Sequence, residues 1–315
     1  VEQSVDVSGA CSSTPYPSGV AIDPSQNLAD VALEGCNSLA LINLANGTGT
    51  TVTVGSNPIG VAVFPRLHYA VVANSGSGSA SVVDELGQSV PRVVSTGTGA
   101  FGVAADQDTG EAAVANYGAN TVTVLNVLTG STSSISTGQS PVAVAFNNQT
   151  HQIAVAASAS NTVGFATVGS SSISSAFSVG TPTSIVYDPV TSDCGASNTY
   201  GCFLASSSTN NLVAVLDPVT SSQTSFFVGI NPTAIAYNYL TSTLVSTNTL
   251  SHTVTVADFL SGTVRSVLTL PPAPVGLNLT VSGLPQFAID IHPLTNLAVI
   301  SDTANGRVLF VPLPR

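Results

Sequence analysis

Lysine, methionine and tryptophan are absent from this 315-residue chain, and positive charge of any kind is scarce. The five cations are all arginine (Arg66, Arg92, Arg265, Arg307, Arg315), set against 16 Asp and Glu for a formal net charge of −11. Charged residues make up 7%, where an ordinary soluble domain carries about 25%. Five cations cannot neutralise a run of phosphates, so nucleic acid is excluded as a partner. The same scarcity removes polybasic attraction to anionic lipid. Mean hydropathy is +0.41, yet no apolar run approaches the roughly 18 residues of a membrane-spanning helix. Val1-Glu2-Gln3 opens the sequence with neither a basic nor a long apolar segment, as expected of a processed secreted form.

The missing charge has a physical use. When carboxylates protonate at low pH, an ordinary protein keeps a large uncancelled positive charge that repels itself. Here the ceiling is about ten: five Arg, four His and the amino terminus. A surface of Ser, Thr, Asn and Gly suits an extracellular protein working in acid.

Cysteines are few and even in number. Four allow three pairings, of which the sequence-local one, Cys11–Cys36 and Cys194–Cys202, is expected; the alternative is four reduced thiols. Three Asn-x-Ser/Thr sequons, at Asn46, Asn148 and Asn278, mark candidate glycosylation sites. With the cysteines they point to an extracellular or cell-surface location. Zinc-type spacing is missing, since no C-x2-C occurs, and the four histidines (His68, His151, His252, His292) fall in separate parts of the sequence. No metal and no cofactor is expected.

What is present is a repeat. Pro17-Ser-Gly-Val-Ala-Ile-Asp23 returns as Pro58-Ile-Gly-Val-Ala-Val-Phe64, Ala100-Phe-Gly-Val-Ala-Ala-Asp106 and Pro141-Val-Ala-Val-Ala-Phe-Asn147. It returns again as Pro182-Thr-Ser-Ile-Val-Tyr-Asp188, Pro232-Thr-Ala-Ile-Ala-Tyr-Asn238 and Gln286-Phe-Ala-Ile-Asp-Ile-His292, at spacings of 41, 42, 41, 41, 50 and 54 residues. Each unit continues with a turn, a second apolar strand such as Tyr69-Ala-Val-Val-Ala-Asn74, a third with period-2 alternation such as Asn120-Thr-Val-Thr-Val-Leu125, and a more polar fourth. Four short strands per unit with no helical periodicity predict an all-β, seven-bladed propeller of antiparallel four-stranded blades. One domain spans residues 1–315, with blades starting near 17, 58, 100, 141, 182, 232 and 286. The seventh unit supplies three strands only, over 287–291, 297–301 and 307–311. Residues 1–8 read as a strand without a unit of its own, so they are expected to complete the last blade and close the ring. Two units are long: the fifth carries an insertion over 192–200 between Cys194 and Cys202, and the sixth a Pro-rich excursion over 271–280.

The phrases GVAIDP, YAVVAN and NTVTVLNVLTG resemble the YVTN-type β-propeller repeat along the whole chain. The third unit departs from it by lacking the leading Pro, the second by Phe64 in place of Asp. The resemblance implies kinship with archaeal surface-layer and bacterial surface or periplasmic proteins. It also implies kinship with seven-bladed enzymes of the streptogramin-lyase and sugar-lactonase kind, of which the streptogramin-lyase-like ones use an acid/base His with a metal and a nearby Glu. Here the glutamates are Glu2, Glu34, Glu85 and Glu111, and no His–Glu pairing is found to carry that chemistry.

One aligned position is polar in most units: Asp23, Asp106, Asn147, Asp188, Asn238 and His292, with Phe64 the exception. Asx turns at the end of the first strand account for it; the functional reading is a polar ring at one mouth of the axial channel. Gly97-Thr-Gly-Ala-Phe-Gly102 spells a dinucleotide fingerprint, but it leads into a strand rather than a helix. Asp108-Thr-Gly110 spells an aspartic-protease triplet that has no second copy. The expected function is therefore non-catalytic: an extracellular or cell-surface propeller making protein–protein contacts, with copies of itself in a layer, sheath or filament. The alternative is a propeller enzyme of the lyase or lactonase type with a ligand or metal at the channel mouth.

Overall fold

The repeated phrase becomes the innermost strand of each blade in the computed structural model. The structure describes residues 3–7, 9, 11, 13–190, 194, 198, 200–270 and 288–314. Innermost strands run Pro17–Asp23, Pro58–Phe64, Ala100–Asp106, Pro141–Asn147, Pro182–Asp188, Pro232–Asn238 and Ile289–His292. Each opens a four-stranded antiparallel sheet, and there are seven such sheets. The leading proline costs no ladder bond at a strand's first residue. After it the first six innermost strands shift register by a bulge, as between Pro17 and Val20 or Pro182 and Ser184. Blade 3 bulges at the same place, between Ala100 and Val103, without the proline. The bulge therefore belongs to the curvature of the strand around the axis.

Second and third strands are apolar and buried along their length, as in Tyr69–Asn74 and Ser79–Asp84. The outermost strand alternates between exposed and half-buried, as in Ser89–Ser95. A blade has no core of its own. The hydrophobic clusters lie instead at the joints, one for each pair of neighbouring blades. Stability is therefore interfacial, and a ring with one joint open loses a whole cluster.

The joint of blades 7 and 1 carries the closure. Strand Gln3–Asp6 pairs antiparallel with Arg307–Pro312, with Ser4 opposite Leu309 and Asp6 opposite Arg307. Its chain order in that sheet is first strand, then the three last strands of the molecule. Val7 is buried with Val20, Ile22, Val308 and Phe310. Thr303 Oγ1 donates to the Pro17 carbonyl across the same joint.

The blades crowd at the axis. Gly60 has an ordinary backbone conformation, but a Cβ there would lie 2.2 Å from the Phe101 carbonyl oxygen of the next innermost strand. Gly60→Val is expected to lower the melting midpoint by several degrees through strand separation at the axis, of the order of 1–3 kcal/mol for an overpacked site; differential scanning calorimetry reads it.

Hairpin turns reuse one device, a residue at positive φ just before the next strand. Asn27, His68, His151, Ser242 and Asn296 hold it ahead of second strands. Asn37, Asn120, Asn161, Asn211 and His252 hold it ahead of third strands. Asn and His are among the residues that tolerate this conformation, which accounts for the backbone setting of three of the four histidines. In four blades the asparagine ahead of the third strand also caps the link into the next blade: the backbone N–H groups of Asn57, Ser140, Thr181 and Asn231 donate to Asn37, Asn120, Asn161 and Asn211.

Both cysteine pairs form as expected. Cys11 bonds Cys36 and Cys194 bonds Cys202, with Cα–Cα separations of 6.0 and 5.6 Å. The Pro-rich stretch 271–280, with the Asn278 sequon, and most of 192–200 lie outside the described residues. Asn46 is exposed at a turn, where its side-chain oxygen accepts from the Thr48 backbone N–H at 3.0 Å. Asn148 is half-buried.

Candidate functional site

The six residues of the aligned polar position are all buried, and none lines the axial cavity. That cavity is about 180 Å³, and its wall is Val61, Phe101, Val103, Ile185, Thr183 and similar side chains and glycines, with no titratable group. Asp106, Asn147 and Asn238 turn sideways instead, into the joint with the following blade. Asp23 accepts from the backbone N–H groups of Ser25 and Gln26, and Asp106 from that of Asp108. Asn147, Asn238 and Asp188 close similar turns onto Gln149, Leu240 and Val190. His292 accepts at Nδ1 from Thr295 N–H, and burial holds its pKa below the usual imidazole value. Asp108-Thr-Gly110 is part of the turn after Asp106.

The second contact of these groups staples blade to blade. Asp106 Oδ2 meets His151 Nδ1 of the next blade at 2.6 Å. Asn147 donates to the Tyr200 carbonyl at 3.0 Å, and Asn238 donates to Asn296 Oδ1 at 2.9 Å. The partner residue is the one at positive φ, or its neighbour, ahead of the next second strand. Turn chemistry and ring cohesion thus come from the same side chains.

Blades 1 and 2 break this pattern. By position Asp23 should close on His68 as Asp106 closes on His151. Instead His68 Nδ1 is buried with no hydrogen-bond partner. Two further acids enter the same joint. Asp30 sits third in strand Leu28–Leu33, where the other six blades have Val71, Ala113, Ala154, Leu204, Val245 and Val299. Glu85 directly follows strand Ser79–Asp84, where the other six have Leu44, Val127, Val168, Pro218, Phe259 and Leu313. Both acids are buried, at 0% and 3% exposure. Gln26 Nε2 donates to Glu85 Oε2 at 3.1 Å, but no amide, hydroxyl or cationic donor reaches Glu85 Oε1 or either oxygen of Asp30, whose partner is the Glu85 carboxyl itself.

A nitrogen of His68 and one oxygen each from Asp23 and Glu85 lie within 4.8 Å of one another. No His–Glu pairing is visible in the sequence; the fold makes one. Burial pushes the Asp30 and Glu85 carboxyls upward; the charges of Asp30 and Asp23 raise Glu85 further, and the charge of Asp23 raises Asp30 against a hydrogen bond from Glu85 that lowers it. None of the four described arginines offsets them. Arg66 pairs with Asp108, Arg265 with Asp258 and Arg307 with Asp302, while Arg92 donates to the Leu128 carbonyl. The signal that could have found the site was in the repeat: two acids at two positions that are otherwise apolar.

A separate acid, Asp290, half-buried, stands on the innermost strand of blade 7. It accepts from the Ile22 N–H of blade 1 at 2.8 Å and from Ile291 N–H. Burial outweighs these bonds and raises its pKa to about 6.

No protein-family model matches the chain, and no curated protein matches it in sequence. Among solved structures, a chain of the Kuenenia stuttgartiensis hydrazine synthase is similar, with a TM-score of 0.78 and 15% identity. The match covers 95% of this chain and 96% of that one. At that identity the likeness is one of fold, the propeller, and carries no residue role across.

Proposed function

We propose that this chain is a non-catalytic, extracellular or cell-surface propeller that works through protein–protein contact, as a subunit that associates with copies of itself. The observation that carries the reading is the dressing of one face. Strands alternate in direction, so the first and third hairpin turns of every blade emerge on the same side. There Leu86, Leu128, Val219, Leu240, Leu260 and Leu294 are 53–72% exposed. Soluble monomers rarely gather large apolar groups on one side, and such surfaces mark contact sites. Low charge leaves little repulsion between copies. The axial cavity presents the hydroxyls of Thr183, Ser184 and Thr233 but no acid or base among the described residues that line it, so no general base stands there to activate them. The two disulfides favour an oxidising compartment.

Sedimentation velocity across a hundredfold concentration range tests this. The wild type is expected to associate. Leu86→Ser, Leu128→Ser, Leu260→Ser and Leu294→Ser combined should give monomers, with a melting midpoint within a few degrees because exposed turns contribute little to folding. A wild-type chain that stays monomeric throughout would overturn self-association.

A further inference from the structure

We propose that the joint of blades 1 and 2 is a binding site for a divalent metal ion of the zinc type, held by Asp23, His68 and Glu85 with Asp30 behind them. This goes beyond the contact function above and does not depend on it.

The argument starts from an internal comparison. The molecule contains the same joint seven times, so the other six act as controls. At the joint of blades 3 and 4 the equivalents of Asp30 and Glu85 are Ala113 and Val168, and the Asp106–His151 pair simply closes at 2.6 Å. At the joint of blades 1 and 2 both apolar positions have become acidic together, and the histidine nitrogen is left without a partner. Two acids replacing two apolar residues in the same place need a common cause. Packing is not that cause, because burying two carboxyls that have mainly each other as partners, where apolar side chains would fit, carries a desolvation cost. Buried charges persist where they are paired or coordinate a metal, and no cation of the protein reaches this one among the described residues.

The donor set then chooses the ion. Imidazole nitrogen with carboxylate oxygen is the ligand chemistry of zinc and its neighbours, whereas calcium and magnesium prefer all-oxygen shells. Three protein ligands on a rigid scaffold form the common zinc arrangement, at about 2.0–2.2 Å from the ion. Gln26 Nε2, bonded to both Glu85 and Asp23, orients the ligating carboxylates from outside the shell. Ligand oxygens and nitrogens around a tetrahedral ion stand about 3.3 Å apart, so donor atoms within 4.8 Å of one another have to draw together by about 1.5 Å or less to close on it. His68, Asp23 and Glu85 come from both blades, so the ion would rivet the first two blades together.

The test uses the full-length chain without a histidine tag, stripped with a chelator and dialysed at pH 7.5. Isothermal titration with zinc chloride is expected to show one ion per chain and not two, and saturating zinc is expected to raise the melting midpoint. Asp30→Val with Glu85→Val installs what sister blades carry, so that variant should fold and yet bind at least a hundredfold more weakly. His68→Asn, an exchange its positive φ allows, should weaken zinc by a similar factor, while His151→Asn leaves it unchanged. Absence of stoichiometric zinc on the wild type would overturn the site, the acids then holding protons alone. Undiminished zinc on the folded double variant would overturn it equally. Calcium binding that survives His68→Asn and exceeds zinc would overturn the class of ion.

Discussion

Deleting residues 1–8 is expected to lower the melting midpoint by roughly 10 °C or more. Strand Gln3–Asp6 contributes its ladder to Arg307–Pro312, at about 0.5–1.5 kcal/mol net per backbone hydrogen bond. Val7 leaves a buried cluster, worth about 1.5–3 kcal/mol. The sum is about 4–7 kcal/mol, and in a large domain each kcal/mol moves the midpoint by about 2 °C. A second consequence follows from geometry: Arg307–Pro312 becomes an unpaired apolar edge, so the truncated chain should also aggregate on heating. Calorimetry with light scattering checks both. A midpoint within 2 °C of wild type would mean that the ring holds without its latch.

Replacing Asp290 by Asn is expected to stabilise the protein at neutral pH and to do nothing in acid. A carboxyl whose pKa is higher in the folded than in the unfolded chain binds its proton more tightly when folded. Its penalty is therefore absent below the ordinary value of 3.8 and complete above about 6. One pKa unit corresponds to about 1.4 kcal/mol, so the full effect is at most about 3 kcal/mol. Asp290→Asn should thus melt several degrees above wild type at pH 7.5 in the presence of a chelator, and together with it at pH 3.5. His292 acts in the opposite sense: its lowered pKa means that protonation below about its ordinary 6.5 favours the unfolded chain. The wild-type profile is therefore a shallow one with no acid collapse, because so few cations are left to repel each other. Equal midpoints for the two proteins at pH 7.5, or a wild-type midpoint that falls steeply between pH 7 and pH 4, would count against this account.

The blades were legible in the sequence because a blade is a local object. Proline, alternating valines, an Asx residue and a turn recur within about 42 residues, and local hydrogen bonding turns each copy into the same four strands. The closing strand was legible as the complement of an incomplete last unit. The cysteine pairs were legible because both are local in sequence, 25 and 8 residues apart. The destination of the aligned Asp and Asn residues was not. Their Asx turns follow from local sequence, but whether the remaining polar atoms face the axis or the neighbouring blade depends on how blades are tilted and stacked.

The sequence alone settled the number of sheets, their strand order and the scarcity of charge. Only the tertiary structure decided that the polar position knits blades together and leaves the axis apolar. It alone set Asp23 and Asp30 of one blade against His68 and Glu85 of the next, across as many as 62 residues of chain. The reason is physical: backbone patterning acts over a few residues, whereas a joint is made by side chains from two sheets whose meeting is fixed only when the ring closes.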